Sequence, residues 1–194
     1  MGSLITGLPN LLLNKMFGNN FAGYYSMSDK VLGSPIYFIT SSVGDVFKQE
    51  ASLQYRTNGN CFEIFRKTCK TLFLVGIVPF ALIFVFSPML VPIIFGPGWE
   101  PIGIYIRILS VMYFTKFVVS PLSYIVYIVE KQKYLIFFQV ITLLSLLISF
   151  GVGYYKGDLY LGLGLWAALT VITNIIILWL SYNFAKNSKY EEDL

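Results

Sequence analysis

The chain has 194 residues, of which 56% are hydrophobic and only 12% charged, whereas an ordinary soluble domain carries about 25% charged residues. A mean hydropathy of +0.69 excludes a soluble fold and requires lipid as the solvent. The formal charge is +4, but most basic residues sit in short segments between apolar runs, a placement that fits topology determinants and not a nucleic-acid-binding face.

A hydrocarbon core of about 30 Å needs about 20 mostly apolar residues per helix, and on that scale the sequence predicts six spans. The first, residues 4–17, is short and starts almost at Met1. Met1 to Asn10 lacks the basic start of a signal peptide, so the span is read as the rest of a longer helix and the chain as part of something larger. The second, 21–47, is long and unusually polar. The third, 71–95, is strongly apolar but holds Pro79, Pro88 and Pro92, which predict kinks or a broken end. The fourth, 102–128, carries Arg107, Lys116 and Pro121. The fifth covers 134–155 and the sixth 159–184. The fold class expected is therefore all-α, an integral membrane bundle of about six transmembrane helices forming one domain over 1–194.

Charge gives the direction. Lys48, Arg56, Arg66, Lys67 and Lys70 follow the second span, Lys131 and Lys133 the fourth, and Lys186 and Lys189 the sixth. The alternate turns hold few charges, Lys156 and Asp158 among them. This is the positive-inside pattern, with Lys15 as the misfit, and it predicts that both termini are cytoplasmic. Between the second and third spans, Phe62, Phe65, Cys69 and Leu72 recur at helical spacing beside Arg66, Lys67 and Lys70. Two readings stand: a helix lying on the inner membrane surface, or a solvated connector. Cys61 and Cys69 are too few for a disulfide framework and are read as ordinary cytoplasmic thiols.

Charge inside a membrane costs about 2.5–3.5 kcal/mol near a helix centre and marks function by default. In the second span, with Ser26 at the origin and about 100° per residue, Lys30, Ser34, Tyr37, Ser41 and Asp45 fall within roughly 100° of arc. Such a stripe lines a water-filled cavity or meets another helix, although Pro35 can rotate the two halves. Asp29 falls about 60° to the other side and can pair with a nearby cation. In the fourth span Lys116 lies about 21 Å below Ile102 at 1.5 Å per residue. Arg107, nine residues away, falls on the opposite face. Lys116 is thus the preferred ligand contact and Arg107 a weaker one; the alternative is that the lysines snorkel or pair with Asp29. Ser145, Ser149 and Gly153 in the fifth span, and Gly164 with Ala168 in the sixth, are small residues spaced for close helix approach. Tyr154, Tyr155 and Tyr160 read as an aromatic belt. There is no histidine, no phosphate loop and no nucleophile with a candidate base, so neither an enzyme nor a cofactor or metal site is expected.

Several motifs occur in order: Phe17-Gly18, Gly23-Tyr24-Tyr25-Ser26, Gly33-Ser34-Pro35, Gly44-Asp45-Val46-Phe47, Phe95-Gly96-Pro97-Gly98-Trp99-Glu100, Ile108-Leu109 and Ser120-Pro121-Leu122-Ser123. Over about residues 8–155 this set resembles the polysaccharide or O-antigen flippases of the multidrug/oligosaccharidyl-lipid/polysaccharide exporter superfamily. The resemblance implies one lobe, the C-terminal half, of a two-lobed transporter around a central cavity in the bacterial inner membrane. It implies flipping of an undecaprenyl-pyrophosphate-linked oligosaccharide. The partners it implies are the bilayer, that lipid, and an N-terminal lobe or a second copy. Lys30 and Lys116, with Arg107, would offset phosphate charge. Ser26, Ser34, Ser41 and Tyr37 would meet sugar hydroxyls, and Asp29 or Asp45 would couple an ion. Competing readings are a cation-coupled drug exporter of the same superfamily, a membrane-embedded enzyme, and a non-transporting assembly subunit.

Overall fold

The computed structural model describes residues 2–187, with side chains for 7–186; Lys189 lies outside them. The described residues are helical throughout: α1 (Gly2–Phe17), α2 (Asn19–Asn58), α3 (Phe62–Phe95), α4 (Glu100–Leu122), the single turn α5 (Ile125–Ile128), α6 (Lys133–Lys156) and α7 (Leu159–Asn187). The fold is an all-α membrane bundle. Four helical stretches are long and apolar enough to cross a bilayer: Phe62–Phe95, Glu100–Ile128, Lys133–Lys156 and Leu159–Lys186. At 16 residues α1 is short, and α2 carries too many polar residues to qualify by apolarity.

Nevertheless α2 runs beside α4 from end to end. Tyr24 packs edge-on against Trp99 and Tyr105, while Lys48 lies over the Tyr124 ring, 5.9 Å from its centre. The two helices are therefore parallel, and α3, which links them in sequence, returns antiparallel and packs mainly on α4. α7 also runs parallel to α4, since Tyr105 meets Tyr160 near their starts and Asn174 bonds to Thr115 further along. α4 is the hub: 61% of its apolar window is buried, against 22–33% in the other three spans. Those three expose Val78, Leu82, Ile93, Ile136, Phe137, Ile148, Ile175 and Trp179 among others, the surface a bilayer would cover.

The basic connections converge at one end of the bundle. The Cys61 amide donates to the Ala185 carbonyl at 3.4 Å, Phe62 and Phe65 pack on Tyr182, and Lys131 lies over the Phe184 ring. The opposite end gathers the tight 96–99 turn, Phe17 with Tyr154, and Tyr105 with Tyr160. Gly96 and Gly98 have φ of 86° and 95°, values that a residue with a Cβ rarely adopts, so they let α3 reverse into α4 within four residues. Asp158 caps α7 by accepting the Leu161 amide at 3.1 Å.

Two expectations are corrected. The polar segment after residue 47 is not a separate surface helix: α2 continues to Asn58 and α3 starts at Phe62, with Lys48, Glu50, Arg56, Arg66 and Lys67 exposed along it. The periodicity of Phe62, Phe65 and Leu72 is real, but protein covers it. Phe65 and Leu72 are buried, with Phe47 and Tyr182 packed on Phe65. In the last helix the close approach is made by Gly162, not by Gly164 with Ala168. A Cβ on Gly153 would sit 2.8 Å from the Gly162 Cα, whereas one on Gly164 would meet nothing within 4 Å.

Candidate functional site

The polar stripe of α2 lies on the flank of the face that packs on the bundle. Ala22, Tyr25, Leu32, Thr40, Gly44 and Phe47 are buried against the other helices. Lys30, Ser34, Tyr37 and Asp45 are exposed, and Ser26 and Ser41 are half-buried. Tyr37 is 69% exposed, so the other described helices leave the middle of this stripe uncovered. The helix continues through Pro35. Its hydroxyl groups are partly satisfied from within: Thr40 donates to the Ile36 carbonyl at 2.8 Å, and Ser41 and Ser42 both donate to Phe38 at 3.0 Å. Such back-bonding lets a helix carry hydroxyls at membrane depth at small cost, while their oxygens still accept bonds from a solute.

Asp29 faces α4, where the Tyr113 hydroxyl donates to its carboxylate. The same Tyr113 ring carries the Lys116 ammonium 5.5 Å from its centre, a cation–π arrangement favoured by the negative face of the ring. The Asp29 carboxylate attracts that ammonium as well. Tyr113 is 4% exposed, yet Lys116 itself is exposed. Gly33, one turn beyond Asp29, lies against this pair: a Cβ there would make ordinary contacts, 3.6 Å from the Tyr113 hydroxyl and 3.8 Å from Asp29. A carboxylate, a phenol and an ammonium thus join α2 to α4, with Lys30 exposed at the next position of α2.

Arg107 and Lys116 diverge as the wheel predicts. Arg107 turns to α3, where its Nε donates to the Phe84 carbonyl at 3.0 Å and its guanidinium stacks on the Phe84 ring. It does not join the cluster. Asp45 lies about four turns along α2 from Asp29, or about 24 Å at 1.5 Å per residue, and does not join it either. Tyr113 is the member that the sequence reading passed over. Its signal is its place three residues before Lys116, on the same helical face. Asn174 was also passed over; its Nδ2 donates to Thr115 Oγ1 at 3.0 Å and ties α7 to α4 beside the cluster.

A family model described as "Polysaccharide biosynthesis protein" matches residues 1–104, which includes α1, α2, α3 and the first turn of α4. No curated protein matches the chain, and no solved structure does.

Proposed function

Because the chain belongs to this polysaccharide biosynthesis protein family, we propose that it moves lipid-linked oligosaccharide across the bacterial cytoplasmic membrane. The cargo is an undecaprenyl-pyrophosphate-linked oligosaccharide passing from the inner to the outer leaflet. The chain acts as one lobe of a larger or paired transporter and catalyses no covalent chemistry.

The observation that carries this reading is the uncovered stripe of α2 with Lys30, beside Lys116 on the Asp29–Tyr113 pair. Hydroxyls suit sugars, and cations within an apolar bundle suit a pyrophosphate whose lipid tail stays in the bilayer. The second lobe, or a second copy, faces this stripe and closes the path. The end gathering Lys48, Arg56, Arg66, Lys67, Lys70, Lys131, Lys133 and Lys186 is cytoplasmic, and both termini lie on that side. A drug exporter driven by cations favours acidic residues deep in the path, whereas this chain offers Lys30 and Lys116 there, which suits an anionic cargo.

The test neutralises both lysines, Lys30→Gln with Lys116→Gln, in the complete transporter in cells. Surface polysaccharide should fall by tenfold or more in order of magnitude, about 1.4 kcal/mol or above, while the lipid-linked intermediate accumulates on the cytoplasmic leaflet. Undiminished export at normal protein levels would sink the cation assignment.

A further inference from the structure

We propose that Asp29 is the resident counter-ion of Lys116: the pyrophosphate of the cargo displaces it on binding, and it displaces the pyrophosphate on release. This deepens the reading above and rests on a cargo that carries pyrophosphate.

An ammonium with no anion near it is costly at membrane depth. The surrounding protein strips water from the Lys116 ammonium, and between cargoes the attraction of the Asp29 carboxylate offsets part of that cost. It does so without closing a direct ion pair, because the hydroxyl of Tyr113 holds the carboxylate while the face of the same ring holds the ammonium. Tyr113 is buried and cannot swing away, whereas Lys116 is exposed. The lysine is therefore partly compensated and still accessible. A phosphate oxygen competes with a carboxylate that is already spending one lone pair on a phenol. A site in a transport path must bind well enough to load and weakly enough to unload, and an internal anion of fixed position sets that balance. Asp29 is on this account a positioning residue that tunes Lys116 and does not touch the cargo.

The test is a binding titration on the full chain in lipid nanodiscs. The probe is undecaprenyl pyrophosphate, with undecaprenol as the reference that lacks the anion. Asp29→Asn keeps the shape and can still accept from Tyr113, so it removes charge alone. It should bind the probe about 3- to 10-fold tighter than the parent, with undecaprenol unchanged. Tyr113→Phe frees the carboxylate to close on Lys116 and should weaken probe binding. In Lys116→Gln the effect of Asp29→Asn should vanish. A parent chain that prefers the pyrophosphate while Asp29→Asn gains nothing, or gains equally without Lys116, overturns the counter-ion and leaves the cargo reading standing. A parent chain that binds both lipids equally overturns the cargo reading, and the counter-ion with it.

Discussion

Arg107 donates to the Phe84 carbonyl because Pro88, four residues on, has no N–H to give it. The prolines of α3 do not break the helix, which runs unbroken from Phe62 to Phe95, and this side chain from the neighbouring helix supplies one of the missing bonds. A carbonyl left unpaired in hydrocarbon is expensive, so Arg107→Gln should cost about 1 kcal/mol, read as a lower Tm in detergent with export largely kept. Cys61 makes a second prediction at this scale. It lies in the short turn before α3 with no exposed surface, and burial pushes its thiol up to about 11. The thiolate is the reactive form, so maleimide at neutral pH should label Cys61 only after unfolding. The sign follows from the same shift. The folded thiol keeps its proton above the ordinary value of 9.0, so its contribution to stability is whole below pH 9 and is lost as pH rises towards 11.

Among the elements, the joints that matter are those where backbone meets backbone. A Cβ on Gly103 would lie 2.7 Å from the Pro88 Cα and 2.9 Å from the Ser87 carbonyl, atoms that cannot step aside. Ser87 also donates to the Gly103 carbonyl at 3.1 Å, so α3 and α4 move as one piece. Gly103→Ala and Gly153→Ala should each cost about 1–3 kcal/mol, while Gly164→Ala should be neutral or mildly stabilising. Melting the three variants in one detergent checks the contrast. The same contrast marks how far a sequence can be read. Small-residue spacing announces that α6 and α7 touch, but Gly162 and Gly164 differ only in which way the helix is rotated, and rotation is set by the neighbours. Likewise the stripe of Phe62, Phe65 and Leu72 is legible as a helix face, whereas the identity of its cover, Tyr182, lies over a hundred positions away. Asp29 was legible as a charge in search of a partner. Tyr113, 84 positions along, was not, because a phenol in a tyrosine-rich chain carries no mark of its own.

The whole molecule is where the sequence was most explicit. Alternate basic connections predicted an up-and-down bundle, and the structure gathers those connections at one end. Loop charge is a property of local sequence, so it needs no knowledge of packing. In intact cells, a cysteine placed beside Lys67 should resist a membrane-impermeant maleimide, and one at Gly98 should react; the reverse pattern would invert the topology. The candidate path is a different matter at this scale. Its stripe on α2 was legible as a polar face, but its position on the uncovered flank depends on which face α4 buries.

That uncovered flank also bears on how the protein is made. α2 is too polar to enter lipid on its own apolarity, and α4, the helix it lies against along its length, is completed about 60 residues later. At ribosomal rates of about 5–20 residues per second, α2 therefore waits some seconds for its partner. During that wait the face of α2 that buries Leu32, Thr40 and Gly44 in the finished bundle lacks its α4 partner.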